Sequence, residues 1–447
     1  MPRRYHIETF GCQMNVHDSE RLAALLEADG YERAEGPEGA DLVVLNTCAV
    51  REKAEEKVFS RIGELRAPGM GPTLVAVAGC LAQQAGAGIF ARTRGVDIVV
   101  GTRAARRLPL LAEEARRSGR RQADVSRGEV SPFPPRLVRR SDPVKAYVTV
   151  IEGCNEACAF CVVPRTRGGE RMRPVGEILA EAADALQSGR TEIHLLGQIV
   201  NRYRAPDDPA CDFAELLARV DRLPGLRRIR FASPHPRHVS ERLIEAMSAL
   251  PRVCRHLHLP VQSGSNRVLA AMRRRHTRED YLALVAELRA RVPGLHLSTD
   301  VIVGFPGEAE ADFQDTLSLV EAVGYHSIFS FKYSERPGTL AAAGLRDDVP
   351  DAEKARRLAT LQARQGAIQS MLLGAAVGTT VEVLVEGTSR RRVTEMTGRT
   401  SGNTVVNFPG DPAWVGAIVP VTIERAGPHS LWGRVEALTA ESRTPTL

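Results

Sequence analysis

Hydrophobic and polar positions follow three rhythms along the chain. In the first hundred residues one unit repeats three times: an apolar run, then a cysteine, then an amphipathic pattern of helical period. Residues 5–10 lead to Cys12 and a helix predicted over 18–28. Residues 41–46 lead to Cys48 and a helix over 52–65, and residues 73–78 lead to Cys80 and a helix over 81–90. Strands alternating with helices imply a parallel α/β sheet. Ligands of such sheets gather at the carboxyl ends of strands, where all three cysteines fall. Half-buried structural thiols would give the same pattern.

From 101 to 143 the rhythm lapses. Arginines at 103, 106, 107, 116, 117, 120 and 121 precede Ser131-Pro132-Phe133-Pro134-Pro135. This reads as a solvated face followed by a linker, since proline interrupts both helix and ladder hydrogen bonds. Alternation resumes at 146–151, with strands predicted over 192–196, 228–231, 256–259, 295–303 and 327–331. Helical patterns at 175–187, 213–220, 241–250, 278–290 and 312–323 separate them. Six β/α units imply an open or partial (β/α)6 barrel, too few for the closed eightfold form, with its site on the strand-to-helix loops. Beyond 372 five short strands are predicted, over 379–385, 391–396, 404–407, 415–424 and 431–437. They fit a small OB-like β-barrel, a frequent nucleic-acid binder; a capping domain without a ligand is the other reading. The predicted class is α/β, divided into an amino-terminal domain (1–118), a linker (119–143), the partial barrel (144–371), the small β-barrel (372–440) and a tail (441–447).

Composition narrows this picture. Of the 447 residues 26% are charged and 43% hydrophobic, the profile of a soluble globular chain. No apolar run reaches the roughly 18 residues needed to span a bilayer, and the basic start Met1-Pro2-Arg3-Arg4 lacks an apolar segment behind it. The expectation is a cytoplasmic protein without a membrane partner, its eight cysteines reduced and several of them metal-bound. A net charge of +6 is compatible with a nucleic-acid partner and equally with ordinary solubility.

The most specific chemistry lies in Cys154-Asn155-Glu156-Ala157-Cys158-Ala159-Phe160-Cys161, a C-x3-C-x2-C spacing that opens the partial barrel after its first strand. Thiolates so close together suit an iron–sulfur cluster. Three ligands on a four-iron cube leave one iron free for a substrate, whereas an electron carrier normally fills all four positions. Arg165, Arg167, Arg171 and Arg173 place positive charge just after this loop. His256 and His258 alternate on one strand and read as packed or lining residues; Cys211 and Cys254 match no cluster motif and read as structural thiols.

The C-x3-C-x2-C loop resembles the signature of radical S-adenosylmethionine (SAM) enzymes. With three spaced cysteines ahead of it and a small β-domain behind, the chain resembles the radical SAM methylthiotransferase family in its tRNA-modifying branch. The matching stretches are Gly11-Cys12-Gln13-Met14-Asn15, the run from Asn46-Thr47-Cys48 to Lys57, Gly79-Cys80, Leu259-Pro260-Val261-Gln262-Ser263-Gly264-Ser265, the run from Val301 to Glu308, Arg336-Pro337-Gly338-Thr339 and Gly398-Arg399-Thr400. They extend over nearly the whole chain.

This resemblance implies two [4Fe–4S] clusters. One would be held by Cys154, Cys158 and Cys161, bind SAM and generate a 5′-deoxyadenosyl radical. An auxiliary one, held by Cys12, Cys48 and Cys80, would carry the sulfur to be inserted. An unactivated aromatic C–H offers nothing to acid–base groups, so the cofactor carries the hard step and the protein positions it. The implied substrate is tRNA bearing N6-isopentenyladenosine beside the anticodon. The implied partners are an electron donor of flavodoxin or ferredoxin type and a sulfur or iron–sulfur carrier, on a monomer. For SAM, Gly168, Gly169, Glu170, Gln198 and Gly304 are the implied contacts. Arg390, Arg391, Arg392 and Arg399, in what resembles a TRAM domain, would grip RNA. The chain departs from the family pattern at Met172, Ile199 and Thr404. Alternative readings keep the chemistry but move it to threonylcarbamoyl-adenosine tRNA or to a ribosomal-protein aspartate. A third is a non-catalytic iron–sulfur RNA-binding protein.

Overall fold

Short strands that are apolar on both faces organise the amino-terminal part. The computed structural model describes residues 2–49, 52–67, 73–128 and 138–435. Val50 and Arg51 of the Asn46-to-Lys57 match, the proline-rich part of the expected linker, the end of the last predicted strand and the tail lie outside the described residues. The first of two compact units comprises Met1–Ser141, Ile151–Glu156 and Cys161–Arg171. Its six-stranded sheet runs in the order Glu32–Arg33, Arg4–Phe10, Leu42–Thr47, Leu74–Gly79, Ile98–Val100, Gln122–Asp124, every pair parallel. Leu42–Thr47 is buried throughout because helices cover both faces, as parallel sheets require. Val44, Ala76, Ile98 and Val100 pack with Leu22, Leu26, Leu108 and Leu111, while Val43, Leu45, Val75, Val77 and Val99 pack with Val58, Ile62 and Leu65.

Three expectations change here. The first helix spans Gln13–Ala28, starting directly after Cys12, because the Asn15 side chain accepts the Cys12 N–H at 3.2 Å and caps it. The arginine-rich stretch holds a helix, Leu108–Ser118, whose Leu108, Leu111, Ala112 and Ala115 face the core at helical spacing. Pro109 fits its first turn, where no N–H partner is needed. Within the segment read as linker, Gln122–Asp124 forms the edge strand of the sheet.

The second unit comprises Asp142–Val150, Ala157–Phe160 and Met172–Leu447. Its strands Lys145–Thr149, Glu192–Leu196 and Arg228–Phe231 form one parallel sheet, and His256–His258, His296–Val303 and Ser327–Lys332 form another. An isolated parallel bridge between Ile229 and Val253 lies between them in strand order. The helices Val175–Gln187, Phe213–Asp221, Glu241–Ala249, Arg278–Arg291 and Glu310–Val323 alternate with these strands as the pattern predicts. A 24-residue helix, Asp351–Gly374, is an addition. Its buried positions include Lys354, Arg357, Leu361 and Gln365, a largely polar stripe that hydrophobic periodicity does not mark. Lys354 donates to Asp347 and Arg357 to Glu308, while Gln365 donates to the Tyr325 carbonyl.

The carboxy-terminal strands Thr380–Thr388, Glu395–Thr400, Val405–Pro409, Ile418–Ala426 and Leu431–Val435 close into a barrel around Val383, Val385, Met396, Val406, Phe408, Val419 and Val421. Arg391 and Arg392 were expected in the second strand, with Arg390 just ahead of it. They lie in the exposed connection ahead of Glu395, while Met396 and Gly398 carry the inward alternation.

Arginines of Arg228–Phe231 join this barrel to the sheet. Arg228 donates to the carbonyls of Arg399 and Glu382, and Arg230 donates to those of Thr400 (2.7 Å) and Ser401 (3.1 Å) and to Glu192 (3.0 Å). Burial alone would raise the Glu192 pKa, but the charges of His194 and Arg230 hold it well below the usual carboxylate range. A depressed carboxylate contributes stability in full above its unfolded value of 4.5 and loses it as acid approaches the folded value. We predict that Arg230→Met is less stable at neutral pH by about 3 kcal/mol, since it breaks a buried ion pair. The difference should shrink as the pH falls below the ordinary carboxylate range. Urea titrations read through Trp414 and Trp432, the chain's two tryptophans and both in the barrel, check this.

Candidate functional site

The three amino-terminal cysteines follow the ends of neighbouring strands, Cys48 and Cys80 at one register and Cys12 one residue further on. Phe10 pairs with Thr47 and Thr47 with Gly79, so Cys12, Cys48 and Cys80 leave the sheet side by side. The strand order reverses between Arg4–Phe10 and Leu42–Thr47, which makes this the switch-point crevice of an open α/β sheet. The Cys48 N–H donates to the Phe10 carbonyl at 2.9 Å, fixing the turn.

A buried amide cluster supports the row. Asn46 Nδ2 donates to the Asn15 carbonyl (2.8 Å) and to Ser19 Oγ (2.9 Å), and Cys12 Sγ donates to Asn15 Oδ1 (3.4 Å). Space is tight enough to dictate glycine. A Cβ on Gly11 would lie 2.3 Å from Asn15 Oδ1, and one on Gly79, at φ +89°, would lie 2.3 Å from Asn46 Oδ1. Motif positions that looked like mere flanks of cysteines are therefore the packing that aims them. Asn15 and Asn46 were missed as site residues, although both stand inside the matching stretches.

Electrostatics suit thiolates. A hydrogen bond with Cys48 and the charge of Arg167 overcome burial and bring the Cys12 thiol down to about 6. Burial pushes Cys80 up, with Arg167 opposing it. Arg167 itself is buried and pairs with Asp18 at 2.6 Å. Cys80 packs with Ala49 and Val162, so the auxiliary cysteines border the residue that follows Cys161.

The stem of the three-cysteine loop is built just as closely. Cys154 N–H donates to the Gly168 carbonyl at 3.0 Å, and Asn155 and Glu170 exchange hydrogen bonds of 3.2 and 3.1 Å. A Cβ on Gly153 would meet the Gly169 carbonyl at 2.1 Å, and one on Gly168 would meet Arg103 at 2.0 Å. Gly168, Gly169 and Glu170 thus have a packing duty in folding this loop. Glu152, at its start, accepts from Arg21 at 3.0 Å and from Arg171.

None of the eight cysteines is in a disulfide. The Glu156 N–H donates to Cys154 Sγ at 3.4 Å, and in the second unit Arg274 donates to Cys158 Sγ at 3.7 Å. Hydrogen bonds to sulfur are how proteins tune iron–sulfur ligands, so the donor chemistry fits such clusters. Among the described residues no group of three or more His, Cys, Asp or Glu side chains stands ready for a single metal ion.

Other expected contacts are scattered. Gln198 lies two residues past the end of the strand Glu192–Leu196. Gly304 donates to Glu308 at 2.9 Å, and a Cβ there would meet Lys354 at 2.3 Å. Arg399 is held by Asn403 and Glu386, while Arg390, Arg391 and Arg392 are exposed. His256 and His258 share Ser298 Oγ at 3.0 Å each, as packed or lining residues would. Cys211 and Cys254 are buried in the second unit away from the cysteine loop's sequence. Met172 accepts from the Arg204 N–H, and Ile199 is buried.

A cysteine loop at the first strand of a six-unit β/α array defines a radical SAM protein, and the Radical SAM superfamily matches residues 148–320. The Uncharacterized protein family UPF0004 matches 4–101 and the TRAM domain 374–435. The chain is 46% identical over 440 residues to the tRNA-2-methylthio-N(6)-dimethylallyladenosine synthase of Solibacter usitatus, covering 98% of each. It is 47% identical over 445 residues to that of Chromobacterium violaceum, covering 98% of this chain and 100% of the relative. The chain belongs to the family of tRNA-2-methylthio-N(6)-dimethylallyladenosine synthases. In fold it is similar to the radical SAM methyltransferase TsrM from Kitasatospora setae, with TM-score 0.55, 17% identity and coverage of 76% and 74%. It is also similar to the cobalamin-dependent radical enzyme OxsB, with TM-score 0.51, 14% identity and coverage of 83% and 56%. Radical SAM membership implies SAM and a [4Fe–4S] cluster.

Gly79→Ala should destabilise the protein by about 1–3 kcal/mol, because an alanine at positive φ is strained and drives its Cβ into Asn46. Chemical denaturation measures this.

Proposed function

We propose that the chain inserts a methylthio group at C2 of N6-isopentenyladenosine beside the tRNA anticodon, using SAM. The observation that carries this reading is the set of Cys12, Cys48 and Cys80 at the ends of three neighbouring strands, in the same unit as Cys154 and Cys161. A radical initiator alone needs one three-cysteine set; a sulfur-inserting enzyme needs a second. In this reading Cys154, Cys158 and Cys161 hold one [4Fe–4S] cluster and Cys12, Cys48 and Cys80 a second. When bound, these supply the electron that cleaves SAM and the sulfur that is transferred.

The chain's own residues position and shield. Arg167 lies against Cys12 and Cys80 and offsets the negative charge of thiolates there. Gly168, Gly169, Glu170, Gln198 and Gly304 remain our candidates for SAM contacts. The exposed Arg390, Arg391 and Arg392, with Arg399, are candidates for phosphate contacts whose contribution falls with salt. No helix among the described residues is long and apolar enough to cross a membrane, and we infer a cytoplasmic enzyme. An electron donor of flavodoxin or ferredoxin type and a sulfur carrier would serve it as a monomer. For the domains we propose the division 1–118, 119–143, 144–371, 372–440 and 441–447.

Mass spectrometry of nucleosides from a strain lacking the gene tests the activity. We expect 2-methylthio-N6-isopentenyladenosine to disappear and its precursor to accumulate; unchanged levels would refute the reading. A second prediction isolates the auxiliary site. The Cys12, Cys48, Cys80 triple alanine variant should hold roughly half the iron of the parent, since thiolates hold cluster iron. It should still form 5′-deoxyadenosine and transfer no sulfur. Iron content equal to the parent's contradicts the two-site assignment.

A further inference from the structure

The sheet of His256–His258, His296–Val303 and Ser327–Lys332 has two unlike faces. Leu257, Leu297, Thr299 and Val301 are fully buried on one. Register puts His258 beside Ser298 and Asp300 beside Phe329 on the other. Phe329, on the edge strand of this sheet, is 49% exposed, a large aromatic ring of the kind that packing ordinarily covers.

Its neighbours are already engaged with one another. His258 Nδ1 bonds Ser298 Oγ at 3.0 Å and its Nε2 lies 3.5 Å from Asp300 Oδ2, so the imidazole is fixed at both nitrogens. That ring meets Phe329 edge-on, with centroids 5.7 Å apart at 75°. What this face offers a ligand is one braced aromatic surface with a carboxylate next to it. Phe329 also lines a cleft that reaches Arg399 and Asn403 of the carboxy-terminal barrel in the same unit. An aromatic surface continuous with a basic one is how proteins hold an unpaired base and its backbone.

We infer that Phe329, braced by His258, is the platform that receives the prenylated adenine of the RNA substrate, with Asp300 facing its exocyclic N–H. This rests on the function proposed above and adds the residues that choose the substrate. A flat base bearing a five-carbon apolar chain matches an exposed phenyl ring. The Asp300 carboxylate accepts from a secondary amine and repels an acid. It therefore selects against threonylcarbamoyl-adenosine and against an aspartate side chain, both of which carry carboxylates.

The test is steady-state kinetics of the reconstituted full-length enzyme on tRNA carrying N6-isopentenyladenosine. Phe329→Ala should raise KM on the order of tenfold, the scale of losing one aromatic–base stack, with kcat less affected, and Phe329→Tyr should restore KM. Asp300→Asn should narrow the preference for prenylated over threonylcarbamoyl-adenosine tRNA. An F329A enzyme with the parental KM, or a D300N enzyme with the parental preference, overturns the assignment. If the parent enzyme itself forms no methylthiolated nucleoside, the proposed function fails, and the platform with it; a parent that is active beside an unaltered F329A enzyme refutes the platform alone.

Discussion

Register across three parallel strands is the constraint on which the rest depends. Hydrogen bonding fixes Phe10, Thr47 and Gly79 in one row, and neighbouring parallel strands stand about 4.8 Å apart. A one-residue slip of any strand would turn its side chains to the opposite face and remove its cysteine from the row. Slippage is prevented because both faces of Leu42–Thr47 and Leu74–Gly79 are packed under helices. The apolar core thereby sets thiol geometry, although no core residue touches sulfur chemistry directly.

Charge is arranged to the same end. Thiolates gathered at one spot repel each other, and burial raises the cost of each. Arg167 answers this from within the loop stem that follows Cys161, and Asp18 on the first helix holds it in place. Thr102 and Arg103 donate to the Thr166 and Arg167 carbonyls, fixing the backbone that carries this arginine. Residues far apart in sequence thus make one cationic wall beside Cys12 and Cys80. A lysine there would keep the charge but lose the fork of donors that bonds Asp18.

Much of this was legible in the sequence. The three strand–cysteine–helix units and the C-x3-C-x2-C loop stand out because strand period and cysteine spacing are local properties. The six β/α units read well for the same reason; Glu192–Leu196, Arg228–Phe231 and Val175–Gln187 fall on their predicted bounds. What escaped depends on partners distant in sequence. The helix Asp351–Gly374 buries Lys354, Arg357 and Gln365, which are acceptable inside only because Asp347, Glu308 and the Tyr325 carbonyl await them. Gln122–Asp124 is too short and polar to announce a strand, yet its backbone completes the sheet. Asn15 and Asn46 look like polar filler until their amides are seen to bond each other and the Cys12 backbone.

The glycines show why motif and mechanism must be separated. Gly11 and Gly79 precede cysteines, and Gly153 and Gly168 flank the C-x3-C-x2-C loop, so proximity invites a ligand-binding role for each. Every one has a protein atom where its Cβ would stand: Asn15, Asn46, the Gly169 carbonyl and Arg103. Close packing, joined by positive φ at Gly79, Gly153 and Gly168, favours glycine at these places. A ligand role has to rest on other observations, such as a group left available once its neighbours have been satisfied. The thiols have such observations in their places at neighbouring strand ends and in the C-x3-C-x2-C spacing. So does the open face of Phe329, which the His258 ring meets edge-on. Residues held in place and residues left available are different populations, and chemistry belongs to the second.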